Sequence, residues 1–468
     1  MNDETAASPR GDAAHRKMDR SIGERAVLPK SPVVRAPQAS TVSMEEVADR
    51  ENLMRAYQKV ASNRGAPGPD RQTIDEVRKH VAAVVESLRI ALLEGTYGPG
   101  DVRRVWIPKS GGGMRGLGIP NVIDRIVQQA LHQVLSPLYD ASFHGSSHGF
   151  RPGRSCQTAL SEARGYIREG RSWVVDIDLE KFFDTVPHDR LMSRLGERIE
   201  DARILGVIRA FLRARVVLPN GVVMSVDEGA PQGGPLSPLL SNIVLDELDR
   251  ELARRGHRFV RYADDCNIYV RSRRAAERAM ASVTHFIESR LRLKVNRDKS
   301  AAAIPSERHF LGFSLGKVHV DVSTRTERRL REKVRELTPR TWGLSVSTCI
   351  AGINTYARGW VGYYGIGTRL GRLLRWADAH LRRRLRAILW TQWKKRITKV
   401  RQLMLLGVPR PLACATAQGG GRRCWDRSRA KGVVRALTNS HFEERGLLSF
   451  QALWKAHKLK QTVVASAT

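Results

Sequence analysis

Apolar residues recur along the chain in two rhythms, and the places where one gives way to the other mark out its elements. From Met44 the spacing is helical, with Leu53, Met54, Tyr57 and Val60 on one face. A loop dense in turn residues, Asn63 to Asp70, follows, and a second helix is expected from Ile74 to Glu94, stopped by Gly95. Strand-like residues from Val102 to Lys109 and from Met114 to Pro120 flank a Gly-rich turn, which predicts a hairpin. A helix over Val122 to Leu138 leads into a loop of Gly and Arg, Ser146 to Arg154, and then into an apolar strand that starts at Trp173 and carries Asp176 and Asp178. Further on come an apolar helix, Ile243 to Leu252, and two β-branched and aromatic strands joined by a tight turn at the Ala263-Asp264-Asp265 step. A helix from roughly Ala275 to Leu291 and a strand at His309 to Phe313 follow. Leu370, Leu373, Leu374, Ala377, Leu381, Leu385, Ile388 and Leu389 form a helical stripe. After about Gln402 turns return, ending in an amphipathic tail, Leu447 to Leu459. Residues 1–43 show no sustained periodicity and are expected to form a disordered leader.

Composition adds a partner to this outline. A chain of 468 residues is expected to hold about three domains, and 41% hydrophobic residues suffice for packed cores. The 80 Lys and Arg against 47 Asp and Glu leave a net charge of +33, with a pI near 10.9. Such an excess repels itself unless a polyanion neutralises it, so nucleic acid is the expected partner. Five scattered cysteines without a CxxC pair argue for a reducing compartment, and Cys414 and Cys424 are too far apart for a zinc knuckle. No apolar run is long enough for a membrane span and no signal-peptide core is present, so the expected location is the cytoplasm, near the nucleoid, with no membrane partner.

The candidate chemistry lies in the carboxylates. Consecutive residues of a regular strand point to opposite faces, so only a turn could aim Asp264 and Asp265 into one site. Alone, that pair reads more readily as a solvated surface hairpin. Asp176 and Asp178 share one face of the earlier strand, where an acid among apolar residues is costly unless it meets a metal or a donor. Hard carboxylate ligands from two neighbouring strands suit Mg²⁺. Lys109 and Arg115 of the first hairpin, with the arginines of the second loop, suggest a phosphate-gripping lobe. The glycines from Gly229 to Gly234 allow close backbone approach to a ligand, and Gln232 adds an amide that could touch a base or sugar.

The ordered set of Asp178 with Phe182-Phe183-Asp184, PQGGPLSP from Pro231, YADD from Tyr262, Lys299, and FLGF from Phe310 resembles the palm of reverse transcriptases. The strings IPK, RGLGIP, DRIVQ and GFRPGRS between Ile107 and Ser155 are similar to those of reverse transcriptases encoded by group II introns. The resemblance implies an α+β right-hand polymerase. Its expected parts are an N-terminal extension and fingers (44–172), a palm with an antiparallel sheet (173–320), a helical thumb or maturase domain X (321–401), and a small basic DNA-binding segment (402–468). It implies Asp178, Asp264 and Asp265 as ligands of two Mg²⁺ ions, Lys109 and Arg115 on the triphosphate, and Gln232 beside the nucleotide or template. Phe183 would exclude a 2′-hydroxyl, a role that a one-residue slip would give to Phe182. Lys299 would assist the leaving pyrophosphate.

From Thr324 onward Lys and Arg exceed acids by roughly 20, the profile of a phosphate-tracking surface. Arg382, Arg383, Arg386, Lys394 and Lys395 are the RNA-binding candidates there. Ile353-Asn354, Gly359-Trp360 and Tyr363-Tyr364 resemble the maturase region, and Trp360 either stacks on bases or packs in a core. The resemblance therefore implies an RNA-directed DNA polymerase and maturase. Its partners would be group II intron RNA, an RNA template with a DNA primer, target DNA and deoxynucleoside triphosphates, during splicing and retrohoming. The tail lacks the spacing of a Cys and His nuclease module, so the priming strand would come from elsewhere. A domesticated reverse transcriptase and a splicing-only RNA binder are the alternatives.

Overall fold

Alternation of apolar residues builds three sheets. The computed structural model of the chain describes residues 42–108, 112–225, 228–229, 233–339, 343–419 and 423–466. The strands are β1 (Val102–Pro108), β2 (Met114–Ile119), β3 (Trp173–Ile177), β4 (Val216–Val217), β5 (Val223–Met224), β6 (Arg258–Tyr262), β7 (Asp265–Val270), β8 (Ala301–Ala303), β9 (Phe313–Leu315) and β10 (Val320–Val322). The fingers sheet runs β2-β1-β4-β5, the palm sheet β6-β7-β3-β8, and β10 pairs with β9. Every pair in the palm sheet is antiparallel. The expected leader falls almost wholly outside the described residues.

The two faces of the palm sheet have different fates. Val175, Ile177, Cys266 and Ile268 point to one face and are at most 1% exposed, packed in the largest core with the Ser237–Arg254 and Arg273–Phe286 helices. Burying each of the larger aliphatic side chains contributes roughly 2 kcal/mol. On the other face Val174, Val260 and Tyr269 pack under the Cys156–Arg168 helix, but this second cluster covers only one end of the sheet. That helix starts where it does because the Ser155 hydroxyl accepts the Thr158 N–H, and Thr158 returns a bond to the Ser155 backbone. The other end of this face is left for the acids.

A third core forms beyond residue 330. The Val346–Tyr364, Gly371–Gln392 and Phe450–Ser466 helices bury Trp360, Leu381, Leu385 and Phe450 together with Leu403, Val433 and Phe442. Residues on both sides of position 402 thus share one apolar interior. Trp360 is 5% exposed and rests against Tyr364 and Phe450, so it packs.

Three expectations need correction. The helix from Ile74 to Glu94 is two helices, Ile74–Lys79 and Val81–Leu93, because His80 leaves helical backbone (φ −130°) while Val77, Val81 and Val85 keep an unbroken apolar spacing. The strand at His309 to Phe313 is a two-residue turn. Phe310 and Phe313 exchange both backbone hydrogen bonds at 2.9 Å around Leu311 (φ 52°) and Gly312 (φ 82°). After Gln402 the chain is helical rather than turn-rich, with Arg410–Gln418, Lys431–Ala436 and Asn439–Glu444 too short to show a period.

Candidate active site

Register brings the distant acids together. Asp176 pairs with Asn267 and Ile177 with Cys266, so one step further along the two strands come Asp178 and Asp265. Directly opposed residues share a face, which sets Asp176, Asp178 and Asp265 on the open end of the palm sheet. The Tyr262↔Asp265 pair closes the β6–β7 hairpin around Ala263 and Asp264, with Ala263 in left-handed backbone (φ 56°).

That strained turn is held from beneath. Arg261 faces the core and is completely buried. Its Nε and Nη2 donate to Asp249 at 2.8 and 2.6 Å, Nη1 donates to Asn242 Oδ1 and to the Ala263 carbonyl at 2.9 Å, and Nη2 donates to Ser147 Oγ. The Asn242 amide in turn donates to the Gly149 carbonyl. Gly149 lies so close that a Cβ there would sit 2.2 Å from the Ala263 nitrogen. None of this lock was anticipated from sequence. The available signal was an arginine at an inward position of a strand whose other inward residues are apolar.

The loop carrying Lys299 is stitched to Asp178. The Asn296 N–H donates to the Asp178 carbonyl at 2.9 Å, and the Asp178 N–H donates to Ser300 Oγ at 3.0 Å. Lys299 Nζ then stands 3.5 Å from Asp178 Oδ1. Asp176 has a different partner. Arg308 donates to its Oδ2 through Nε at 2.9 Å, with Nη2 at 2.7 Å, and Nη2 also donates to the Lys299 carbonyl.

Asp265 is exposed to solvent yet has protein around most of its side chain. Burial, with Asp264, Asp176 and Asp178 nearby, pushes its carboxyl up to about 7. Burial also raises Asp264, with Asp178 adding to the effect and Arg115 and Arg261 opposing it. Carboxylates gathered at one end of a sheet are the hard donor set that a divalent ion fits. Among the described residues no group of three or more His, Cys, Asp or Glu forms a ready-made metal cage. Mg²⁺ does not require one, since it takes one or two carboxylates and fills its shell with water and phosphate.

The fingers reach toward these acids. Arg115, exposed on β2, acts electrostatically on both Asp264 and Asp265. Lys109 and Gln232 lie outside the described residues. The glycines flanking Gln232 are close-packed: a Cβ on Gly229 (φ 94°) would meet the Phe183 carbonyl at 2.7 Å, and one on Gly233 (φ 133°) the Gly118 carbonyl at 2.2 Å. Phe182 is 2% exposed in the core, while Phe183 is half-buried and edge-on to it at 5.2 Å. Arg151 of the second loop points into the fold. It is engaged within the fold by Asp140 at 2.6 Å and by the His144, Ser147 and Asp140 carbonyls.

The basic candidates beyond the palm divide in two. Lys394 and Lys395 are exposed and Arg382 is half-buried. Arg383 stacks on Trp425, its Cζ 3.6 Å from the ring centroid, and donates to Ser428 and the Trp425 carbonyl. Arg386 Nε donates to the Leu437 carbonyl at 2.8 Å. Among the described residues no helix is long and apolar enough to cross a membrane.

Residues 107–315 match the family Reverse transcriptase (RNA-dependent DNA polymerase), and residues 327–404 match Group II intron, maturase-specific domain. Protein YkfC of Escherichia coli (strain K12) is 33% identical over 350 residues, a stretch covering 64% of this chain and 91% of YkfC. Group II intron-encoded protein LtrA of Lactococcus lactis subsp. cremoris is 39% identical over 199 residues, 42% of this chain and 32% of LtrA. A chain in the solved partial Cas6-RT-Cas1–Cas2 complex is 26% identical, with a TM-score of 0.35, over 52% of this chain and 42% of that one. The match thus spans nearly all of YkfC but only 32% of LtrA.

Proposed function

The chain belongs to the reverse transcriptase (RNA-dependent DNA polymerase) family and carries a group II intron maturase-specific domain, and on that premise we propose that it copies intron RNA into cDNA and assists that RNA in splicing. Asp178, Asp264 and Asp265 would hold two Mg²⁺ ions, which when bound lower the pKa of the primer 3′-hydroxyl and stabilise charge on the leaving oxygens. Arg115 and Lys109 grip the triphosphate of the incoming deoxynucleotide, and Gln232 lies beside the nucleotide or template. The half-buried ring of Phe183 lies under the sugar and leaves no room for a 2′-hydroxyl, a part the buried Phe182 cannot play. Lys299 holds a proton ready for the leaving pyrophosphate from its place beside Asp178. Catalysis is then mostly positioning and electrostatics. The exposed Lys394 and Lys395, with Arg382, contact intron RNA phosphates, and retrohoming into target DNA near the nucleoid completes the cycle.

The observation that carries this reading is the β3–β7 register, which sets Asp178 opposite Asp265. Its test is primer extension on an RNA template beside a binding and splicing assay with intron RNA. Asp264→Ala is expected to abolish cDNA synthesis while leaving RNA affinity within about twofold. Loss of both together would make the acid structural and remove the polymerase assignment.

A further inference from the structure

Four carboxylates approach one another at the open end of the palm sheet, but the reaction uses three. Asp176 and Asp178 lie two residues apart on the same face, and Asp176 stands close enough to Asp265 to act on its charge. Nothing in the strand itself distinguishes them. The difference lies in what each meets. Asp178 meets a flexible ammonium at 3.5 Å, with its side chain 33% exposed. Asp176 meets the guanidinium of Arg308, which approaches its Oδ2 with both Nε and Nη2 while the same Nη2 also holds the Lys299 carbonyl. A charge-assisted contact of this kind is stronger and better oriented than a lysine contact.

We propose that Arg308 is a positioning residue for nucleotidyl transfer: it keeps Asp176 out of the cation-binding set and fixes the main chain from which Lys299 reaches Asp178. This rests on the polymerase reading above. The guanidinium joins the 3₁₀ turn before the Phe310 hairpin to the catalytic strand, 132 residues earlier, and to the Lys299 loop, nine residues earlier. Remove it, and Asp176 becomes an unpaired carboxylate beside Asp265, able to draw a divalent ion away from the place where the primer end and the triphosphate meet.

The experiment uses the full chain with Arg308→Gln, Arg308→Lys, and Arg308→Gln combined with Asp176→Asn. Each is read by primer extension across a Mg²⁺ series and by the Mg²⁺-dependent rise in melting temperature without substrate. Arg308→Gln is expected to lower kcat by about 10- to 100-fold, with little change in the KM for deoxynucleotide. Its melting temperature should rise further with Mg²⁺ than that of the wild type, because the freed carboxylate adds a ligand. Adding Asp176→Asn should return kcat to within about fivefold of wild type and restore the ordinary Mg²⁺ response. A purely structural arginine would lower the melting temperature without either change, and no rescue by Asp176→Asn would overturn the proposal. Should Arg308→Gln fail to fold, Arg308→Lys decides: a lowered kcat supports the proposal, and a wild-type kcat ends it. If the wild type itself does not extend a primer, the polymerase reading falls. If it does and the Arg308 variants match it, only the positioning role falls.

Discussion

Ala263 adopts left-handed backbone at the tip of the hairpin that carries two of the three acids, and a bonded frame keeps it there. An alanine in that conformation costs of order 1 kcal/mol, so the frame must over-determine the turn. Gly149→Ala should test this, since its new methyl would intrude on the Ala263 nitrogen. The expected outcome is a destabilisation of about 1–3 kcal/mol by denaturant unfolding, with primer extension falling at least tenfold as the turn shifts. The two phenylalanines give a paired prediction. Phe183→Ala should admit ribonucleotides in a competition assay with little change in stability, whereas Phe182→Ala should cost about 3–5 kcal/mol because that ring is core. A strand's period of two put Asp176 and Asp178 on one face and a turn was needed to aim Asp264 and Asp265 together, but the preference for Asp178 over Asp176 came from the family resemblance alone. Arg261 and Arg308 were not legible, because their partners lie at distant or unrelated positions, Ser147, Asp249 and Asp176, that no local pattern connects.

Among the elements, the C-terminal helix depends on a single acid from another helix. Asp378, inside Gly371–Gln392, accepts from the Ser449 hydroxyl at 2.6 Å and from the Phe450 and Gln451 N–H groups at 2.8 and 3.2 Å. Asp378→Ala leaves those donors unmatched, two of them at a helix N-terminus, and should cost about 2–4 kcal/mol, seen as faster hydrogen exchange across residues 450–466. A second tie is a stack: Arg331 over Trp376, Trp376 on His380 at 4.8 Å, His380 against Trp425, and Arg383 over Trp425. Burial, helped by Arg384, Arg335, Arg383 and Arg331, lowers His380 from 6.5 to about 4. The unfolded chain therefore binds a proton at His380 that the folded one refuses, so the contribution of this residue to stability is full above pH 6.5 and declines as pH falls toward 4. The melting temperature should track that decline, and His380→Gln should flatten it. Long helices such as Gly371–Gln392 were readable from their apolar stripe. The break at His80 and the turn at Leu311–Gly312 were not, since both keep apolar residues at spacings that a continuous element would also show.

Across the whole molecule, the net charge of +33 makes RNA affinity a matter of counterion release. Binding should weaken steeply with salt. Lys394→Ala and Lys395→Ala should each reduce the slope of log affinity against log salt by about 1 without moving the melting temperature. Arg383→Ala and Arg386→Ala should instead lower the melting temperature, because their contacts are internal. The excess of cations pointed to nucleic acid at once, but charge in a sequence does not reveal which arginines already have a partner. The interior shared by residues 330–450 bears on how this gene can be cut for study. A fragment ending near residue 404, where the maturase match stops, would strip Val433, Phe442 and Phe450 from the oily surface they cover. Such a piece would come out of cells as sticky aggregate, and stop codons meant to separate RNA handling from DNA handling would report only that loss of solubility.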